Sequence, residues 1–376
     1  MRAEPAVPVA ALAAIRAPFE TLGAETVDVP ILQPLGLLLD LAGEAMRARL
    51  FVVQAAGGEE TCLRPDFTVP VVRQHLESGR EAGRYYYEGK AFRSALGADQ
   101  PDEFRQIGLE RFAAHGETLE ADAEIAALAW ASAAAGGRAD LTLHLGDIAL
   151  FSAFLETQGL APSLAARLKR VAARPRLLAA ELARAGAEPG APDDGRLADL
   201  LAGLSEADAA SLLEEVWSLA GVEPVGGRGA AEIAQRLIRR ADAARAPALT
   251  VAQAEAVRRF LAVDDTPAAA FATVRAIAGK SADLEAALNA WSRRLELLAA
   301  AGVPADRLRF ATALGHAFDY YDGLTFEVRS GALAPDRAVA VGGRYDGLPA
   351  RLGGKTAVKA VGCMVRPWRA WAGGEA

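Results

Sequence analysis

Short runs in which apolar and polar residues alternate stand towards both ends of this chain, and a long stretch rich in Ala, Leu, Arg and Glu separates them. A period of two belongs to a half-buried strand and a period near 3.6 to a helix, so no uniform architecture fits the whole sequence. Up to about Leu150, the runs ARLFVV, EETCLRP, GRYYYEGKAFR, QIGLERFAA and ADLTLHLGD read as strands bounded by turns. Between Ala161 and Ala301, helix starts are marked at Ser205 to Asp208 and at Thr250 to Gln253, where a hydroxyl residue precedes an acid or amide by three. Thr266 before Pro267 marks another, because proline fits the first helical position. GAEPGAPDDG, Gly186 to Gly195, reads as a linker, and VGGRG around Gly227 as a second break. After Arg307 the strand texture returns with RLRFATALG, RAVAVGGRYDG and KAVGCMV. The pattern predicts an α/β core over 1–160 and 302–376, interrupted by a helical insertion over 161–301.

The chain has 376 residues, 52% of them hydrophobic, enough to bury a large core. A net charge of -7 and no concentrated Lys/Arg block disfavour a nucleic-acid partner. The N-terminus carries Glu4, two early prolines and Arg16, which is not the pattern of a secretory signal. No apolar run reaches the roughly 18–20 residues that span a bilayer. Two distant cysteines, Cys62 and Cys363, suggest no disulfide framework. A cytoplasmic location is expected. His75, His115, His144 and His316 show no paired spacing with one another or with cysteine, so neither metal nor cofactor is expected. LGGKTAV lacks the upstream glycine of a phosphate loop and reads as a connection.

The segment LGHAFDYYDGLTFEV, Leu314 to Val328, crowds polar tips into a strand-like run. Asp322-Gly323 is the two-residue signal of a type I′ hairpin turn. Beyond it Leu324, Phe326 and Val328 alternate with Thr325 and Glu327. The polar face is compatible with a solvated surface or with the floor of a pocket for a small polar ligand. Strict alternation sets Tyr320 and His316 on one face and Tyr321 on the other, unless a bulge intervenes. Tyr320 also reads as a packed ring bonded at the sheet edge. In LRPDFT, Asp66 and Thr68 stand exposed where Pro65 ends pairing, and Thr68 equally reads as a helix N-cap. Arg93 ends one strand, and Gln106, Gly108 and Glu110 share one face of the next. An Arg beside a Gln and a Glu makes a floor for an amino acid, because guanidinium clamps a carboxylate and carboxylate receives an ammonium or imidazole N–H. Each alone is more often a surface ion-pair partner.

LRPDFT, AFRS with EFRQIGLERF, FDYYDGLTFEV, GGRYDGL and AVGCMVRPWR together resemble, in the same order, the core of histidyl-tRNA synthetase, a class II synthetase. The match covers about the first 150 and last 70 residues, and the DYY with FE and GGRYDGL pairings belong to the histidine branch. The resemblance implies an α+β fold, a class II aminoacyl-tRNA synthetase-like antiparallel sheet of six or more strands flanked by helices, with the helical insertion added. It also implies a homodimer formed around Pro30 and a histidine pocket made by Asp66, Thr68, Arg93, Gln106, Glu110, Tyr320 and Tyr321. The glycines of GGRYDG would let backbone approach the ligand. Asp66 replaces the family's Glu, which lengthens the reach to the α-ammonium by about one methylene and favours weak or water-bridged binding.

The departures fall in the nucleotide site. His316 stands where the synthetase carries Arg, and a histidine with a pKa near 6.5 is mostly neutral at pH 7. Ala95 replaces the acid two residues after Arg93. Arg366, Pro367, Trp368 and Arg369 replace Gly-Leu-Glu-Arg, keeping the last arginine but setting a long side chain where nucleotide must pass. Seven residues follow Arg369, too few for the anticodon-binding domain the synthetase carries there. This pattern is similar to the ATP phosphoribosyltransferase regulatory subunits, a family of non-catalytic synthetase paralogues. The resemblance implies a short-form catalytic subunit as partner in a hetero-octamer, self-association as a dimer, and L-histidine as a feedback ligand. The alternative is a truncated synthetase-like enzyme that activates histidine with ATP.

Overall fold

The computed structural model describes residues 2–42, 44–54, 58, 60–95, 97, 100–116, 118–172, 175–186, 204–220, 230–231, 233–234, 247–279, 281–314, 320–355 and 357–374. It divides into two compact units, one of residues 1–157 with 259–376 and one of residues 158–258.

The first unit is built on a nine-stranded sheet. In chain order its strands are β1 (Glu25–Thr26), β5 (Gly83–Phe92), β6 (Glu103–Ala113), β7 (Leu141–Asp147), β8 (Asp264–Asp265), β9 (Leu308–Ala311), β10 (Leu324–Ser330), β11 (Ala340–Arg344) and β12 (Lys359–Val365). A separate three-stranded antiparallel sheet holds β2 (Leu32–Pro34), β3 (Val52–Gln54) and β4 (Glu60–Leu63). The large sheet runs β1-β5-β6-β12-β11-β10-β7-β9-β8. Only β1 with β5 and β7 with β9 pair parallel, so the sheet is mostly antiparallel, as the resemblance implies.

Alternation in GRYYYEGKAF puts Tyr85 and Tyr87 into the core while Arg84, Tyr86 and Glu88 take the other face. The helix Thr118–Ala135 lies against β12, β11 and β10. Its run of small alanines, Ala123, Ala126, Ala127 and Ala129, is buried in that packing. Burial of each large side chain, such as Phe67, Phe112 or Leu348, contributes about 1.5–3 kcal/mol, and together they dominate the stability of the unit.

The helices Pro267–Ala278 and Ala282–Ala300 belong to this first unit, although the Ala-rich texture groups them with the insertion up to 301. Phe271 and Trp291 from these helices meet the Phe310 ring of β9 edge-on at 5.0 and 4.8 Å. The Trp291 indole N–H donates to Asp147 at 2.7 Å. Composition alone does not separate a helix covering a sheet from one in a separate lobe.

The second unit is helical, with helices Pro162–Val171, Pro175–Ala183, Glu206–Ala220 and the greater part of Val251–Leu261. The anticipated caps form there. The Ser205 hydroxyl accepts from the Asp208 N–H at 3.2 Å. Thr250 and Gln253 bond reciprocally, at 3.0 and 3.2 Å. Of the two expected breaks, only Gly186 of the first lies among the described residues.

Two local expectations are corrected. Asp322-Gly323 is not a type I′ turn, since neither residue has positive φ. The Asp322 N–H donates to the Arg344 carbonyl at 3.0 Å, beside the β10–β11 ladder, and its carboxylate accepts the N–H groups of Asp346 and Gly347. Aspartate is here capping a distant turn and not its own. Thr68 is the first residue of the helix Thr68–Ser78 and not its cap, which is Phe67. Asp66 and Thr68 are also buried, at 5% and 8% exposure.

Candidate functional site

A cavity of about 280 Å³ opens on one face of the large sheet, over β6 and β12. Gln106 and Glu110 rise into it from β6, at 0% and 1% exposure, as the shared strand face requires. Thr68 enters from the first turn of its helix and donates to Glu110 Oε1 at 2.7 Å. Asp66 precedes that helix and Arg93 follows β5. Tyr320 and Tyr321 complete this part of the lining, from a segment that is not a strand, so both adjacent rings reach the same cavity. All seven residues of the amino-acid pocket anticipated from sequence therefore line one cavity.

Three further hydrogen-bond facts define the floor. Glu110 accepts from Tyr87 at 3.3 Å and from Tyr345, in addition to Thr68. Burial still pushes the Glu110 carboxyl up to about 8, helped by the neighbouring Asp66 and opposed by those hydroxyls. Burial likewise raises Asp66, opposed by the Arg93 charge, the Val69 N–H and the Tyr320 hydroxyl, which donates at 3.4 Å. Asp66 Oδ1 and both amide atoms of Gln106 are buried with no hydrogen-bond partner. Buried polar groups are nearly always satisfied, so an acceptor, a donor and a further acceptor left open around one cavity mark a place for a polar ligand.

Close approach of cavity-lining side chains accounts for one glycine of GGRYDG, Gly343, and for Gly362 outside that motif. A Cβ on Gly343 would strike the Tyr321 ring at 2.7 Å, and one on Gly362 would overlap the Glu110 carboxylate. They admit side chains of this chain that line the cavity.

The altered positions are partly gathered here. Ala95, Arg366 and Arg369 line the same cavity. Ala95 offers its backbone N–H to Asp102 at 2.9 Å. Arg366 is 5% exposed, stacks 3.7 Å over the Phe104 ring and donates to Glu4. Trp368 lies outside the lining and packs against Trp371, with ring centroids 5.4 Å apart. His316 lies outside the described residues. Arg93 gives its Nε–H to the Pro65 carbonyl at 2.8 Å, so part of its fork is already engaged.

Residues that the sequence did not single out are Tyr87, Tyr345, Phe104, Arg49 and Glu4. Tyr87 was legible in principle, since it faces Gly108 in the β5–β6 register. Glu4 and Arg366 are brought together only by the tertiary fold. Among the described residues, no group of three or more His, Cys, Asp or Glu is placed to hold a metal ion, and no helix is long and apolar enough to cross a membrane. Cys62 and Cys363 are both buried and free.

The family model for histidyl-tRNA synthetase matches residues 9–243 and 220–367. The ATP phosphoribosyltransferase regulatory subunit of Brucella anthropi is 35% identical over 356 residues, covering 93% of each chain. That of Brucella canis is 34% identical over 355 residues, covering 94% of each. A Bacillus halodurans structure described as an ATP phosphoribosyltransferase regulatory subunit/histidyl-tRNA synthetase shares the fold with a TM-score of 0.63 at 19% identity, over 95% of this chain and 76% of that one. A Nostoc histidyl-tRNA synthetase does so with a TM-score of 0.58 at 17% identity, over 96% and 69%. On its relatives' identity and extent, with the synthetase core confirmed by fold, this chain belongs to the family of ATP phosphoribosyltransferase regulatory subunits.

Proposed function

We propose that the chain is a non-catalytic regulatory subunit that assembles with a short-form ATP phosphoribosyltransferase catalytic subunit, for the first step of histidine biosynthesis, and binds L-histidine in the cavity over β6. The observation that carries the first part is the 34–35% identity to named regulatory subunits over nearly the whole chain. Support for the ligand comes from the cavity. Asp66 and Gln106 offer open polar atoms to an α-ammonium, and Glu110 with Tyr321 faces the side where an imidazole N–H would donate. Positive charge for the carboxylate is supplied by Arg93.

Loss of synthetase chemistry follows from the nucleotide side. Ala95 brings no acid to a base, and the long Arg366 side chain lies over the Phe104 ring in the cavity that a nucleotide would have to enter. In this reading the chain acts by binding and by contact with its partner, in the hetero-octamer and dimer that the resemblance implies, and it works in the cytoplasm.

The deciding experiment is formation of phosphoribosyl-ATP by a short-form catalytic subunit, with and without this chain, at fixed low concentrations of both. A marked rise in rate on mixing is expected, together with co-elution. An unchanged rate with separate elution refutes the assembly. The chain alone, given histidine and ATP, is expected to show no pyrophosphate exchange, and robust exchange would establish the synthetase-like alternative instead.

A further inference from the structure

The far side of the cavity holds more positive charge than an amino-acid pocket needs. Arg49, Arg93, Arg366 and Arg369 all line it. Arg366 donates from Nη2 to Glu4 Oε1 at 2.5 Å, but its Nε is buried with no hydrogen-bond partner, and so is the Nε of Arg49. Burial first and the Arg93 charge second hold Arg49 below the usual guanidinium range. Burial first and Arg369 second lower Arg366 to about 9, against the opposing pull of Glu4. The acids on the cavity wall have other engagements: Glu327 pairs with Arg329 at 2.7 Å and Asp336 accepts from Gln100 at 3.1 Å. Asp66 and Glu110 sit among the tyrosine and threonine hydroxyls.

Glu4 reaches this place from outside the nine-stranded ladder. Ala3 bridges to Glu103, the Glu4 N–H donates to the Glu103 carbonyl at 2.8 Å, and the Arg2 carbonyl accepts from Asp102 at 2.8 Å. A short run of main chain thus delivers one carboxylate, 4% exposed, to Arg366. Orphaned guanidinium N–H groups beside crowded like charges are satisfied by an oxyanion, which accepts several charge-assisted hydrogen bonds at once.

We infer that the arginine side of the cavity is a binding site for the oxyanion of a small molecule, a phosphate or a carboxylate, with Arg49 and Arg366 as its donors, and that Glu4 is a tethered occupant which such an anion displaces. The site needs only the cavity and stands whether or not the chain activates a catalytic subunit. Two sources supply this chemistry: the carboxylate of an amino acid held by Asp66 and Gln106, or the phosphate of a separate molecule.

The test is calorimetric titration of the full chain and of its Glu4→Gln, Arg366→Gln and Arg49→Gln variants, with pyrophosphate, histidine and histamine as probes. Glu4→Gln is expected to tighten pyrophosphate binding about fivefold or more, and each arginine substitution to weaken it about tenfold or more. If the arginines take the amino acid's carboxylate, pyrophosphate competes with histidine, and histamine binds about tenfold more weakly than histidine. If they take a separate phosphate, pyrophosphate and histidine bind together, and the Arg49 and Arg366 substitutions leave histidine affinity unchanged. The inference is overturned if pyrophosphate fails to bind both the parent chain and Glu4→Gln, or binds them with equal affinity, or is indifferent to the arginine substitutions in folded protein. Arg49→Gln carries the test if Arg366→Gln does not fold, since Arg49 is only half-buried.

Discussion

Glu110 accepts from three hydroxyls inside the sheet-side cavity, and burial nevertheless holds its carboxyl at about 8 against an ordinary value of 4.5. Between those two values the folded chain keeps a proton that the unfolded chain has released. Stability contributed by the protonated form is therefore full below about pH 4.5 and falls as pH rises towards 8. Asp66, also raised by burial, pulls in the same direction. Urea midpoints measured at pH 5, 7 and 8.5 are expected to decline in that order, and Glu110→Gln to flatten the decline; an equal slope in the variant would assign the effect to another group. Glu110→Ala and Tyr321→Phe are expected to weaken histidine inhibition of the assembled complex more than they weaken assembly. Equal inhibition in the variants would move the sensing site to the partner.

Asp122 shows how elements are tied together. It is fully buried on the helix Thr118–Ala135, and accepts from Arg344 of β11 at 2.8 Å and from Arg294 of the helix Ala282–Ala300 at 2.8 Å. Asp122→Ala would leave the Arg294 guanidinium, at 11% exposure, without its carboxylate and Arg344, at 6%, with only Asp346 and the Thr118 carbonyl, and is expected to cost about 3–5 kcal/mol by urea denaturation. A loss under about 1 kcal/mol would mean that water reaches them. The same element scale shows what was legible in the sequence. Period-two runs located β5, β6, β7, β10 and β12, and the shared face of Gln106 and Glu110 followed from spacing alone. Asp322-Gly323 misled because aspartate caps backbone N–H groups wherever the chain brings them, here from Asp346 and Gly347. Tyr320 and Tyr321 defeated the parity argument because their segment is not extended as a strand. Arg49 and Glu4 carried no local signal, since both are functional candidates only through neighbours far away in sequence.

At the scale of the whole molecule, every residue lining the cavity comes from the unit of 1–157 and 259–376. Phe154 and Phe260, close to the points where the chain leaves and re-enters that unit, stack with ring centroids 4.2 Å apart. A short Gly/Ser linker can therefore replace residues 158–258 at small closure cost. The shortened chain is expected to fold with an unchanged histidine affinity, read by calorimetry; loss of binding in a folded protein would show that the helical unit shapes the cavity. The order of the strands has a further consequence for how this chain is made. β6 pairs on one side with β5, its immediate predecessor, and on the other with β12, which begins only at Lys359, long after β6 ends at Ala113. At ordinary elongation rates that gap lasts on the order of tens of seconds, during which one edge of the growing sheet is left open to other nascent chains.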